Sequence, residues 1–239
     1  MYLKPLLIVS TVFIIATIGQ ISLGMNYTDI MFISAYLPFE IIMTITAISL
    51  WYLFLRKSVP IYFSKDTNRT FFITLPLLLV PISIVTFVIL GDAKEINYSI
   101  LGTVLLTSLF VGISEEIYFR VIAFGSLLSL HNTPRKSILL SALIFSLFHL
   151  TNLFSEVTYF HMIIQLINTF MMGVVFAYIY YKTKNIIYII VIHFMWDFSI
   201  FTNMTYGSIK EIGAGMPILV IGYFIWAIKN TLKLSEVKK

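Results

Sequence analysis

Eight runs of this chain are each apolar over about the length of a membrane crossing. A helix that crosses the hydrocarbon core needs about 20 predominantly apolar residues, since each adds 1.5 Å of length. Its backbone polar groups must also find partners within the segment. The first run, PLLIVSTVFIIATIGQISLG, lies within residues 4–24. The others cover about 30–55, 70–90, 98–128, 137–152, 158–181, 186–203 and 213–229. The predicted fold class is therefore all-α: a polytopic membrane protein of about eight transmembrane helices, forming one membrane domain over residues 1–239. No linker, internal repeat or low-complexity tract interrupts it, and the longest polar break is 56–69. Composition agrees: 11% of residues are charged, where soluble domains carry about 25%.

The basic residues give the orientation. With the N-terminus in the cytoplasm, five groups fall inside: Lys4; Arg56, Lys57, Lys65 and Arg69; Arg135 and Lys136; Lys182 and Lys184; and Lys229, Lys233, Lys238 and Lys239. These are 13 of the 16 Lys and Arg, while Lys94 and Lys210 fall outside and Arg120 lies in a span. Eight spans with both termini cytoplasmic thus satisfy the positive-inside rule, whereas seven or nine would scatter the charge. The first run exceeds the about 7–15 apolar residues of a signal peptide, so it is read as a retained helix.

The net charge of +5 belongs to these short loops and not to a nucleic-acid surface, since no RNP, zinc-finger or phosphate-loop pattern accompanies it. There are no cysteines, which excludes disulfides, thiolate nucleophiles and Cys-ligated metals. Sequons at Asn26, Asn97 and Asn203 fall outside in this topology and matter only in a glycosylating host.

Against this background the stretch SEEIYFR, residues 114–120, stands out. An ionised side chain at the centre of a spanning helix costs about 2.5–3.5 kcal/mol on insertion scales. Glu115, Glu116 and Arg120 standing alone would then cost roughly 8–10 kcal/mol. Glu116 and Arg120 are four apart and share a helical face, so they are expected to pair. Glu115 lies about 100° round the helix and is left as a candidate general base. A plain charge cluster at a helix end is the alternative. Two further patterns follow: FSLFH, residues 145–149, with His149 in the fifth span, and HFMWD, residues 193–197, with His193 and Asp197 on one face of the seventh. Each has a bland reading, as a packed histidine or a self-satisfied pair. Three helices carrying Glu, His, and His with Asp fit better with one shared polar site. Glu40 beside Pro38 in the second span has no assignment. His131 and His161 belong to no acid-bearing pattern. Phe148, Trp196 and Phe198 flank the motifs and are read as packing.

Glu115-Glu116-x-x-x-Arg120, Phe145-x-x-x-His149 and His193-x-x-x-Asp197, in that order on successive spans, resemble the CPBP family. These are the CAAX prenyl proteases and bacteriocin-processing enzymes, also called the Abi family. The resemblance covers about residues 98–229. It implies an intramembrane endopeptidase with a site opening near the cytoplasmic face. It implies Glu115 as the base that activates water, His149 as holding that water, and Glu116 with Arg120 as a supporting pair. His193 and Asp197 would ligate a metal or stabilise the tetrahedral intermediate. Eukaryotic relatives carry Asn where this chain has Asp197. An ionised Asp accepts only, so Asp197 is protonated, orients His193, or binds a cation. Glu115, His149 and His193 would form an open zinc site if they converge, although no HExxH motif is present. A metal-free glutamate mechanism is the alternative.

The implied partners are a membrane-associated peptide or protein substrate and the lipid bilayer, in a bacterial plasma membrane. Peptide processing or bacteriocin immunity is favoured over CAAX-type processing. Two competing readings are a non-catalytic membrane scaffold or immunity protein and a small cation-coupled transporter. The second would show paired broken helices, which this sequence lacks.

Overall fold

The computed structural model describes residues 3–26, 29, 31–64, 69–91, 96–130, 133–206 and 212–234. His131 and the loop lysines Lys65, Lys94, Lys210, Lys238 and Lys239 lie outside the described residues. Among the described residues ten α-helices follow one another: α1 Leu3–Leu23, α2 Phe32–Leu50, α3 Arg69–Thr74, α4 Pro76–Gly91, α5 Tyr98–Glu116, α6 Gly125–Ser129, α7 Pro134–Phe148, α8 Tyr159–Thr183, α9 Ile186–Tyr206 and α10 Ile212–Leu232. A π-helical turn, Trp51–Leu55, extends α2, and a longer one, Ile117–Phe124, joins α5 to α6. A 3₁₀ segment, His149–Ser155, continues α7. Among the described residues there is no β-strand.

Seven of these stretches are long and apolar enough to cross a membrane, and α10 contributes a shorter apolar helix over Pro217–Leu232. The chain is an integral, multi-pass membrane protein. Its outer surface matches that solvent: Leu53 is 68% exposed and Leu90 74%, as lipid-facing side chains should be. The third expected run is broken at Leu75, because the residue before a proline is held out of the α conformation and Pro76 follows. Side-chain caps start three helices. Asn97 accepts from the Ser99 and Ile100 amides, Thr133 from Lys136 N with Pro134 at the first position, and Thr158 from His161 N.

The bundle has two distinguishable ends. At one, the 56–64 loop is tied to the α8–α9 turn: Ser64 N donates to Lys184 O at 2.9 Å and Asn185 Nδ2 donates to Ser64 O at 2.7 Å. Arg56, Lys57, Arg135, Lys136, Lys182 and Lys184 gather here, so it is the basic end. At the other, Gln20 of α1 donates to Asn152 Oδ1 at 2.7 Å, and Tyr206 of α9 donates to Asn97 O at 2.8 Å.

Small residues let helices meet closely where no hydrophobic drive favours association in lipid. A Cβ on Gly173 of α8 would lie 3.0 Å from Ala142 Cα of α7. A Cβ on Gly112 of α5 would lie 3.1 Å from Phe194 N and 3.2 Å from Ile190 O of α9. The α5–α9 approach sets the site, since Glu115 stands one turn after Gly112 and His193 beside Phe194.

Candidate active site

The i,i+4 spacing at the end of α5 delivers the expected pair. Arg120 Nε lies 3.0 Å from Glu116 Oε2, and both side chains are fully buried. The contact is an ion pair and not an aligned hydrogen bond, and both Nη atoms lack a hydrogen-bond partner. The guanidinium instead lies over the Phe145 ring at 4.6 Å and the Phe176 ring at 5.7 Å. Aromatic faces are attractive to a desolvated cation.

Across the helix interface stands His193. Its Nδ1 donates to Glu116 Oε1 at 2.8 Å, which fixes the ring. Its Nε2 faces two more carboxylates, Asp197 Oδ2 at 3.4 Å and Glu115 Oε2 at 3.6 Å. If Nδ1 of a neutral ring donates to Glu116, Nε2 is a lone pair facing two acceptors. One proton must therefore be held among His193 Nε2, Glu115 and Asp197. This gives Asp197 a way to present a hydrogen.

His149 terminates α7. A carbonyl can only accept, so the contact of His149 Nδ1 with Phe145 O at 3.0 Å places a hydrogen on Nδ1. In the neutral ring Nε2 is then an acceptor, and the side chain lines a cavity of about 470 Å³ that also reaches Glu115, His193 and Asp197. No hydrogen bond or ion pair joins His149 to those residues among the described ones. The fifth span covers Pro134–Ser155: its α-helix stops at Phe148 and 3₁₀ turns carry it on to Ser155.

The structure brings Glu115, Glu116, Arg120, His193 and Asp197 into one network and sets His149 on the same cavity. Phe148 and Trp196 line that cavity, whereas Phe198 stacks on Phe194 with ring centroids 5.9 Å apart. His161 sits at the start of α8 against Thr158. Among the described residues no three His, Asp or Glu side chains are arranged to hold a metal ion. Glu116 takes Nδ1 of His193 and leaves Nε2 as its one free donor, so Glu115, His149 and His193 border one cavity without forming such a group.

Two residues, Glu40 and Gln20, had no role in the sequence reading. Glu40 of α2, 3% exposed, accepts from Ser114 Oγ at 3.0 Å and lines the cavity wall beside Glu115. Gln20 of α1 holds the 3₁₀ segment that carries His149: it donates to Asn152 and accepts from Ser155 Oγ at 2.8 Å. Each was visible only as a lone polar residue in an apolar run.

Because Gly112 sets the α5–α9 distance, Gly112→Val is expected to lower activity by up to about 100-fold, the effect of an ångström of misplacement. Thermal stability in detergent should change less, and comparing the two readouts checks it.

A family described as type II CAAX prenyl endopeptidase Rce1-like matches residues 97–199. No curated protein matches the chain. The matched segment runs from the cap of α5 to just past Asp197, and so holds all six of the motif side chains described above. Over residues 97–199 the chain is thus similar to the Rce1-like endopeptidases of the CPBP family.

Proposed function

We propose that the protein is an intramembrane endopeptidase that hydrolyses membrane-associated peptides or proteins in a bacterial plasma membrane. Glu115 activates the water, and peptide processing or bacteriocin immunity is the biological setting. One observation carries the reading. Glu116 is consumed by Arg120 and His193, whereas the one cationic contact of Glu115 among the described residues is the longer one to His193 Nε2 at 3.6 Å, and Glu115 borders the cavity. A carboxylate left available beside a water-sized space is what a general base needs.

The steps balance on residues of this chain. Glu115 takes a proton from water as its oxygen attacks the scissile carbonyl. The proton shared around His193 Nε2 and Asp197 donates to the developing oxyanion. Glu115 then returns its proton to the leaving amine. His149 Nε2, as an acceptor, orients the attacking water. The scheme is written without a metal.

The test is cleavage of membrane-associated peptides by purified protein in detergent, with metal content measured in the same samples. Wild-type cleavage with no stoichiometric metal, lost in His149→Ala while the variant stays folded, is expected. Stoichiometric zinc in active protein would replace the metal-free scheme. Equal cleavage by both proteins would place the chemistry elsewhere.

A further inference from the structure

The segment that carries His149 has a form that its own residues do little to hold. His149–Ser155 is a 3₁₀ helix of 7 residues. Such runs are uncommon beyond about three or four residues, because their hydrogen-bond geometry is poorer than that of an α-helix. The run ends on Glu156 with φ at 57°, in the left-handed region that a residue with a Cβ enters at a cost. The His149 ring has only local holds among the described residues. Its Nδ1 bonds Phe145 O, and its ring meets those of Phe145 and Phe148 at 5.1 Å and 5.4 Å. The direction of Nε2 therefore follows the backbone where α7 ends.

That backbone is gripped by α1 on both sides of His149. After it, Gln20 uses both ends of its amide. Nε2 donates to Asn152 Oδ1 at 2.7 Å and comes within 3.4 Å of Thr151 Oγ1, while Oε1 accepts from Ser155 Oγ at 2.8 Å. Before it, Phe13 packs edge-on against Phe148, with ring centroids 5.5 Å apart. Phe13 and Gln20 are two turns apart and share a face of α1. Gln20 is 3% exposed, Asn152 7% and Ser155 1%. An amide buried in a spanning helix loses its water, and here the bonds that replace it all go to this one segment. The clasp also sits at the site, since Gln20, Asn152 and His149 border the same cavity.

We propose that Gln20 is a positioning residue for His149: by fixing the 3₁₀ run from α1, it holds the imidazole where Nε2 orients the attacking water. The matched family segment starts at residue 97, so this role falls to a helix outside it that carries none of the motifs. The inference rests on the endopeptidase reading for what His149 does, and not for how His149 is held.

Gln20→Met keeps the length of the side chain and removes both hydrogen-bonding groups. Ser155→Ala removes one of the bonds from the other partner, and is the milder variant should Gln20→Met fail to fold. In peptide cleavage, kcat is expected to fall by about 10–100-fold, as for an ångström or less of misplacement, with KM within about twofold of wild type. A second readout needs no substrate. The chain has 4 histidines, so isotope-labelled histidine gives few ring-nitrogen NMR signals, and His149→Ala identifies those of residue 149. The His149 signals are expected to shift in both variants, while those of His193, held by Glu116, stay in place. His149 signals unchanged in a folded variant would overturn the proposal. So would a raised KM with kcat retained, which would make Gln20 a substrate contact. A wild type that cleaves no peptide would remove the endopeptidase reading, and the histidine signals would still decide whether Gln20 places the ring.

Discussion

Glu115→Gln is expected to reduce peptide cleavage by about 10²–10⁴-fold, the range a positioned general base contributes. The substitution keeps the volume of the side chain and its place beside the cavity, and removes only its capacity to accept and return a proton. It should leave the neighbouring network in place, since Glu116 and not Glu115 holds Arg120 and His193 Nδ1. Single-turnover cleavage, read beside thermal unfolding in detergent, measures it. Unchanged turnover would take Glu115 out of the chemistry.

Arg120→Met should act through stability. Glu116 is fully buried, and removing its partner leaves a carboxylate uncompensated in the core. Breaking one half of a buried pair typically costs about 3–5 kcal/mol. The double variant Glu116→Gln/Arg120→Met removes both charges, and buried pairs replaced as a unit are often close to neutral. It should recover most of the loss, while the amide oxygen at position 116 still accepts from His193 Nδ1. Unfolding midpoints of the three proteins measure this. A double variant no more stable than Arg120→Met would mean that the arginine acts through its packing on Phe145 and Phe176.

What was legible in the sequence was local or one-dimensional. Run length locates the spans because lipid thickness fixes helix length, and i,i+4 spacing pairs Glu116 with Arg120 and His193 with Asp197 because both residues ride one helix. Contacts between helices were not legible. Nothing in the spacing says that His193 turns its Nδ1 to Glu116 across the α5–α9 interface, or that Gly112 permits that approach. Gln20 and Glu40 come from α1 and α2, which carry no motif, and their roles exist only once those helices pack beside residues 152–155 and Ser114. The tightening at His149 depends on its own hydrogen bond to Phe145 O, together with the hold that Gln20 has on the segment after it.

The burial of Ile117–Phe124 has a consequence for transport. Passage of an ion or solute from face to face would require the whole Ile117–Phe124 segment to unpack and the Glu116–Arg120 pair to part, which makes this architecture a poor conduit and a suitable vessel for hydrolysis.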